Sequence, residues 1–148
     1  MSSAVPHDVL HAHTADAALA AVVRAIAADS GTVHFLRDDG CLHLGGLSGP
    51  LPPPLIERIR TIPMGKGMAG ACAQMDEPVT WCNLNQDDRG IVQPGASSSG
   101  MEGAIVVPIR RDGRLVGTLG VANHGERTYT PGETAFLESC AAAIARFA

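Results

Sequence analysis

One strand-turn-strand signal constrains this chain more than anything else in it. Gly103 to Arg110 (GAIVVPIR) and Arg114 to Asn123 (RLVGTLGVAN) straddle Asp112-Gly113, and both runs are rich in β-branched residues. An Asp-Gly pair between such runs predicts a tight antiparallel hairpin, and the near-continuous apolar character places both strands in the middle of a sheet. A second hairpin is predicted upstream, where Thr32 to Arg37 and Cys41 to Gly45 flank Asp38-Asp39-Gly40. If Arg37 pairs with Cys41, then His34, Leu36, Leu42 and Leu44 share one face, because side chains alternate along a strand. His34 then lies among leucines, either as a hydrogen-bonded core residue or as a lining residue of a pocket. His43 falls on the opposite face with Phe35.

Helices are predicted at both ends. Thr14 is placed as an N-cap ahead of Leu19, Val22, Val23 and Ile26 at helical spacing, with Ser30-Gly31 as the stop. Thr130-Pro131-Gly132-Glu133 combines an N-cap, a proline at the first helical position and the glutamate of a capping box. Phe136, Leu137, Cys140, Ile144 and Phe147 form the apolar stripe that follows. Two amphipathic terminal helices need a common apolar surface, and one face of the sheet is the simplest. Before Thr14, His7 and His11 stand at the spacing of two ligands on one helical face, yet no other ligand type completes a metal site. Residues 1–13 are expected to form a flexible lead-in.

The middle of the chain carries the chemistry. Gly49 to Pro54 is too proline-rich for regular structure, and Leu55, Ile56 and Ile59 suggest a short helix after it. Thr61 to Met64 then meets a turn built on Gly65 and Gly67, from which a helix over Met68 to Met75 departs. Asp76-Glu77-Pro78 breaks that helix, and Val79 to Cys82 reads as a strand. The first amides of a helix have no intrahelical acceptor, and glycines let the backbone approach a bound molecule, so this corner is a candidate cradle for a small ligand. Lys66, the single lysine beside ten arginines, sits inside the turn. Asn83 to Glu102 is a long polar stretch, either a cover over the cradle or a disordered loop.

Composition narrows the classes. At 148 residues the chain fits one domain, and a net charge of -4 gives no general attraction to nucleic acid or anionic lipid. The first basic residue is Arg24 and no apolar run approaches the ~20 residues of a membrane span, so a cytoplasmic protein is expected. Cys41, Cys72, Cys82 and Cys140 form no CxxC pair, which argues against zinc knuckles and disulfide frameworks. No cofactor is expected.

The order of these pieces resembles the GAF domain family. The resemblance runs from about Ala17 to Phe147. It is carried by Ile62-Pro63-Met64-Gly65-Lys66-Gly67-Met68-Ala69-Gly70, by Pro78-Val79 with Trp81-Cys82-Asn83-Leu84, and by Val107-Pro108-Ile109. Val116-Gly117-Thr118-Leu119-Gly120-Val121 and Tyr129-Thr130 before Glu133 complete it. It implies an α+β fold over 14–148, with a central antiparallel sheet of about six strands, terminal helices packed on one face and often dimerising, and a ligand pocket on the other. Many members carry aspartate where this chain has Asn83, which removes that carboxylate as a ligand contact.

The resemblance implies a small-molecule sensor acting without an attached output domain, with a homodimer through the terminal helices and a separate signalling protein as partners. The expected ligand is a small anion or polar metabolite, nitrate being suggested by similarity to nitrate-receptor members. The backbone amides of Gly67, Met68 and Ala69 are expected to hold it, with Lys66 adding charge, Ile62 and Trp81 walling the cavity, and Ile91, Val92 and Gln93 forming a lid. Two alternatives stand beside this reading. A free methionine sulfoxide reductase would need cysteines just before the Ile-Pro turn, beside its last glycine, and in the following loop. This chain has Arg60-Thr61, Ala69 and a cysteine-free stretch from Asn83 to Glu102 there, leaving Cys72 and Cys82 as the remaining pair. A cyclic-nucleotide binder would need aromatic stacking groups, and the chain holds five aromatics in all. Gly65 to Gly70 also satisfies GxGxxG, but a dinucleotide site requires a buried parallel strand before it.

Overall fold

Alternation along β1, the strand Ser30–Leu36, organises the molecule, because it turns Val33 and Phe35 to one side and Ser30, Thr32 and His34 to the other. The computed structural model describes residues 4–81 and 101–148. Along the chain come α1 (His7–Leu10), α2 (Ala15–Ala25), β1, β2 (Cys41–Ser48), α3 (Pro53–Ile59) and β3 (Thr61–Pro63). They are followed by α4 (Gly67–Met75), β4 (Val79–Trp81), β5 (Gly103–Arg111), β6 (Arg114–Asn123) and α5 (Pro131–Ile144), with a 3-10 turn over Ala145–Phe147. The six strands make one sheet in the order β3-β2-β1-β6-β5-β4, with every neighbouring pair antiparallel.

Both hairpins form, and the first has the expected register. Arg37 N–H donates to Cys41 C=O at 3.0 Å, and His34 pairs with Leu44 and Leu36 with Leu42. A register shift between Val33 and His34 lets β2 run on to Ser48. Helix α2 stops sooner than the expected Ser30-Gly31. Its C-cap is Ile26, and Ala27 takes a left-handed φ of 56° that turns the chain into β1.

On one face, Val33, Phe35, Ile105, Val107, Ile109, Leu119 and Val121 pack with Leu19, Val22, Phe136, Leu137 and Ile144 of the two terminal helices into the main core. Thr14 caps α2 by accepting from Ala17 N–H, and α5 carries the complete Thr130–Glu133 capping box. Arg127 ties the end of α2 to the first turn of α5. Its guanidinium donates to the carbonyls of Ile26 and Ala27 and to Glu133 Oε2, while Tyr129 O–H donates to Asn123. The lead-in expected to be flexible contains α1 instead. Val9 of that turn is fully buried in the main core, and Arg146 donates to the carbonyls of Val9 and Ala12. An apolar anchor plus two charge-assisted hydrogen bonds fixes a segment that composition alone reads as loose.

Candidate functional site

The corner at the start of α4 is built by glycine. Gly65 and Gly67 both take left-handed φ values, +82° and +62°, where a side chain is strained. Lys66 N–H donates to Pro63 C=O and Gly65 N–H to Gly70 C=O, which folds the turn back onto the helix it opens. A Cβ on Gly70 would stand 2.6 Å from Pro63 O, so only glycine permits that approach. Lys66 is the N-cap and offers no side-chain hydrogen bond. The amides of Gly67, Met68 and Ala69 therefore begin a nine-residue helix with neither an intrahelical acceptor nor a side-chain cap.

Those three residues line a cavity of about 160 Å³ on the sheet face opposite the terminal helices. Its floor comes from Ser30, Thr32 and His34 of β1, Gly120 and Ala122 of β6, and Ala104 and Val106 of β5. Thr32 pairs with Gly120 and Gly120 with Val106, so the floor's centre is a residue with no side chain. Leu51, Leu55, Ile59, Ile62 and Met101 complete the walls. No charged side chain is among these lining residues.

His34 is the most informative of them. It is 2% exposed, and its Nε2 lies 2.8 Å from the carbonyl of Ile59, the last residue of α3. A carbonyl can only accept, so Nε2 carries the proton and Nδ1 is left as an acceptor. Nδ1 has no hydrogen-bond partner, and neither has Oγ1 of Thr118, its cross-strand neighbour on β6. Burial holds the His34 pKa below the ordinary imidazole value, against the opposing pull of the Ile59 bond, and nearby His43 adds to the lowering. The ring is neutral at pH 7.

Of the residues expected at the site, Ile62, Gly67, Met68 and Ala69 line the cavity, while Lys66 and Trp81 do not. Lys66 is exposed and outside the lining, so the corner brings no charged side chain to the cavity. Trp81 packs instead against the small cluster of Met101 and Ala104, and those two residues supply the wall expected of it. Ile91, Val92 and Gln93 lie outside the described residues. Sequence reasoning did not find Thr32, Gly120, Ala122 or Ala104. The available signal was the run of small residues at alternate positions of strands otherwise rich in Val and Leu.

The rival chemistries can be weighed against this geometry. The strand before GxGxxG is β3, a three-residue edge strand antiparallel to β2, and not the buried parallel strand a dinucleotide site needs. Phe35, Tyr129 and Phe136 are buried in the core with the terminal helices, Phe147 packs against that core, and no aromatic residue other than His34 lines the cavity. Cys72 and Cys140 are fully buried outside the cavity lining, and burial pushes each thiol up to about 12, far from the thiolate that sulfur chemistry requires. Cys82 lies outside the described residues. Among the described residues no group of His, Cys, Asp and Glu is arranged to hold a metal, and no helix is long and apolar enough to cross a membrane.

Comparison with known proteins agrees with this architecture. A profile of the GAF domain matches residues 12–147. No curated protein matches the sequence. The fold is similar to the GAF domain of an Acinetobacter phosphoenolpyruvate-protein phosphotransferase, at 19% identity over 94% of this chain and 84% of that one, with a TM-score of 0.75. The corresponding Coxiella burnetii domain gives 22% identity over 93% and 84%, with a TM-score of 0.74. The free methionine-R-sulfoxide reductase of Neisseria meningitidis, solved with its substrate, gives 20% over 94% and 80%, with a TM-score of 0.72. At these identities the likeness concerns the fold.

Proposed function

We propose that this chain, which belongs to the GAF domain family, is a binding module that senses a small molecule in the cavity over β1, β6 and β5. One observation carries the reading: a hollow with mostly apolar walls stands on the sheet face the terminal helices leave free, with the first residues of the uncapped α4 among its lining. The volume is close to that of an engineered apolar cavity that holds benzene, which sets the ligand's bulk at about six to ten heavy atoms. A cyclic nucleotide is roughly twice that size. The apolar walls also leave nitrate's three oxygens with few donors, so a molecule with an apolar body and one polar end fits better.

The reductase chemistry of some fold neighbours receives less support here, because Cys72 is buried in a cluster with Val79 and Val106 and does not line the cavity. The test is thermal shift against small alcohols, amides, carboxylates, nitrate and methionine sulfoxide. A ligand at 100 times its dissociation constant stabilises the fold by about 2.7 kcal/mol, which shifts the midpoint measurably. Consumption of methionine sulfoxide with a thiol donor would overturn the sensor reading. So would the absence of a shift with every class.

A further inference from the structure

The two helices that wall the hollow are held with unequal firmness. Near the start of α4, Gly65 N–H donates to Gly70 C=O, and at its C-cap Arg110 donates to Asp76 twice, to Oδ1 at 2.8 Å and to the backbone oxygen at 2.6 Å. Gly70, Cys72 and Ala73 bury one side of that helix. Across from it, α3 gives Leu55 and Ile59 to the lining, with Leu51 just ahead of it. Of the seven residues of α3, Leu55 alone is buried, and the N-cap, Pro52, has no side-chain group to bond the first amides. Two helical turns with one buried side chain have little stability of their own. What α3 has instead is a fixed point beyond each end. Ahead of it, Gly49 takes a left-handed φ of +89°, and a Cβ there would stand 2.3 Å from Asp29 O, so the chain lies hard against the entry to β1. At its far end, His34 Nε2–H donates to Ile59 C=O at 2.8 Å, and Leu44 N–H donates to Arg60 C=O at 2.9 Å. His34 is 2% exposed, which shelters the first of these bonds from water.

We infer that α3 is a strap over the hollow, pivoting on Gly49 and on the His34–Ile59 hydrogen bond and closing against whatever occupies the space. Leu51 and Leu55 are the surfaces that meet the occupant. The inference rests on the reading that the cavity takes a ligand. His34 is then a positioning residue: its Nε2 proton holds the pivot, and neither ring nitrogen needs to touch the ligand. Hinges are a few residues at the ends of elements, and closing elements come from the least stable parts of a fold, which here is the segment between Gly49 and Ile59. An occupant shifts such an equilibrium only by its differential affinity, and the apolar contact that Leu51 and Leu55 gain in the shut position supplies it.

Hydrogen exchange on the full chain tests the strap, with benzene as the probe because it needs no polar partner. The Leu55 and Ile56 amides both donate to Pro52 C=O and report on α3. Cys72 and Ala73 report on α4, and the buried Cys140 and Ala141 of α5 report on global unfolding. Without benzene, Leu55 and Ile56 are expected to exchange about tenfold faster than Cys72 and Ala73. Benzene at nine times its dissociation constant slows exchange at Cys140 and Ala141 about tenfold, since unfolding releases it. The same factor is expected at Leu55 and Ile56, because opening the strap releases it too. A gain at Cys140 and Ala141 with none at Leu55 and Ile56 would show benzene held without α3 and would overturn the strap alone. No gain at any amide would overturn the strap together with the ligand reading. Leu55 and Ile56 exchanging as slowly as Cys72 and Ala73 would also overturn the strap.

The pivot is tested at His34 itself. His34→Leu removes the donor to Ile59 C=O and is expected to speed exchange at Leu55 and Ile56 by about three- to tenfold more than at Cys140 and Ala141. His34→Gln, which keeps an N–H donor, is expected to recover part of that loss. Equal acceleration at all four amides would mean that His34 serves global stability alone and would overturn the pivot. Should His34→Leu fail to fold, the Nε2 proton of the unmodified protein decides the point. Exchange of that proton more slowly than the Leu55 and Ile56 amides supports a pivot that persists while α3 opens, and exchange as fast as theirs overturns it.

Discussion

The two faces of the sheet are made from the same strands and are built to opposite ends. Towards the terminal helices, β1, β5 and β6 present Val33, Phe35, Ile105, Val107, Ile109, Leu119 and Val121, a continuous buried apolar layer. Towards the cavity the intervening positions are Ser30, Thr32, His34, Ala104, Val106, Gly120 and Ala122, which are small or polar. One face spends its side chains on packing and the other withholds them to leave a hollow. A period of two residues is all that separates the packed face from the hollow one in this fold.

Adjacent residues on the two faces give the sharpest contrast. Leu119→Ala, on the helix face, should cost about 2 to 5 kcal/mol in urea unfolding, as large-to-small changes in a packed core do. Gly120→Ala, one residue on and facing the cavity, should change stability by less than about 1 kcal/mol, because its Cβ meets only ordinary to tight contacts. Equal losses would mean the cavity face is packed like the other.

pH provides a second contrast. His34 has a folded pKa below its unfolded value of about 6.5, so the unfolded chain binds the proton first as the pH falls. The stability this group contributes is full above pH 6.5 and is lost below it, with a slope of up to about 1.4 kcal/mol per pH unit. In His34→Leu that slope between pH 6.5 and the carboxylate range should disappear from the stability profile. Glu133, on the helix layer, works lower. The Thr130 amide and Arg127 hold its carboxyl below the usual range, so its contribution is present at neutral pH and lost as pH falls through the acid range.

Smaller effects complete the ordering. Thr130→Ala removes the cap of α5 and should cost about 1 kcal/mol without altering cavity binding. Lys66→Gln should change stability by less than about 0.5 kcal/mol and leave ligand affinity unchanged, since the side chain is exposed and outside the lining. A large loss of affinity in Lys66→Gln would show that the outward lysine reaches the bound molecule after all.

Much of the scaffold was legible because its causes are local. Asp112-Gly113 and Gly40 announce their hairpins through the φ values a tight turn demands, and the Thr130–Glu133 box announces α5 by satisfying its own first amides. The candidate site was legible only in part. Gly67, Met68 and Ala69 were found because a glycine corner before a helix is itself a backbone signal. Thr32, Ala104 and Gly120 were not, because nothing local distinguishes a small residue that lines a cavity from one that eases packing.

The sequence by itself determined the two hairpins, the register of the first, the caps, the glycine corner and hence the family. Those features depend on backbone torsions and on alternation, which neighbouring residues fix. Only the tertiary structure decided which side of each element faces the hollow. It left Lys66 exposed outside the lining, packed Trp81 against Met101 and Ala104, and left His34 Nδ1 without a partner. These outcomes depend on how α3, α4 and three strands from distant parts of the chain share one small volume, and packing of that kind has no local signature.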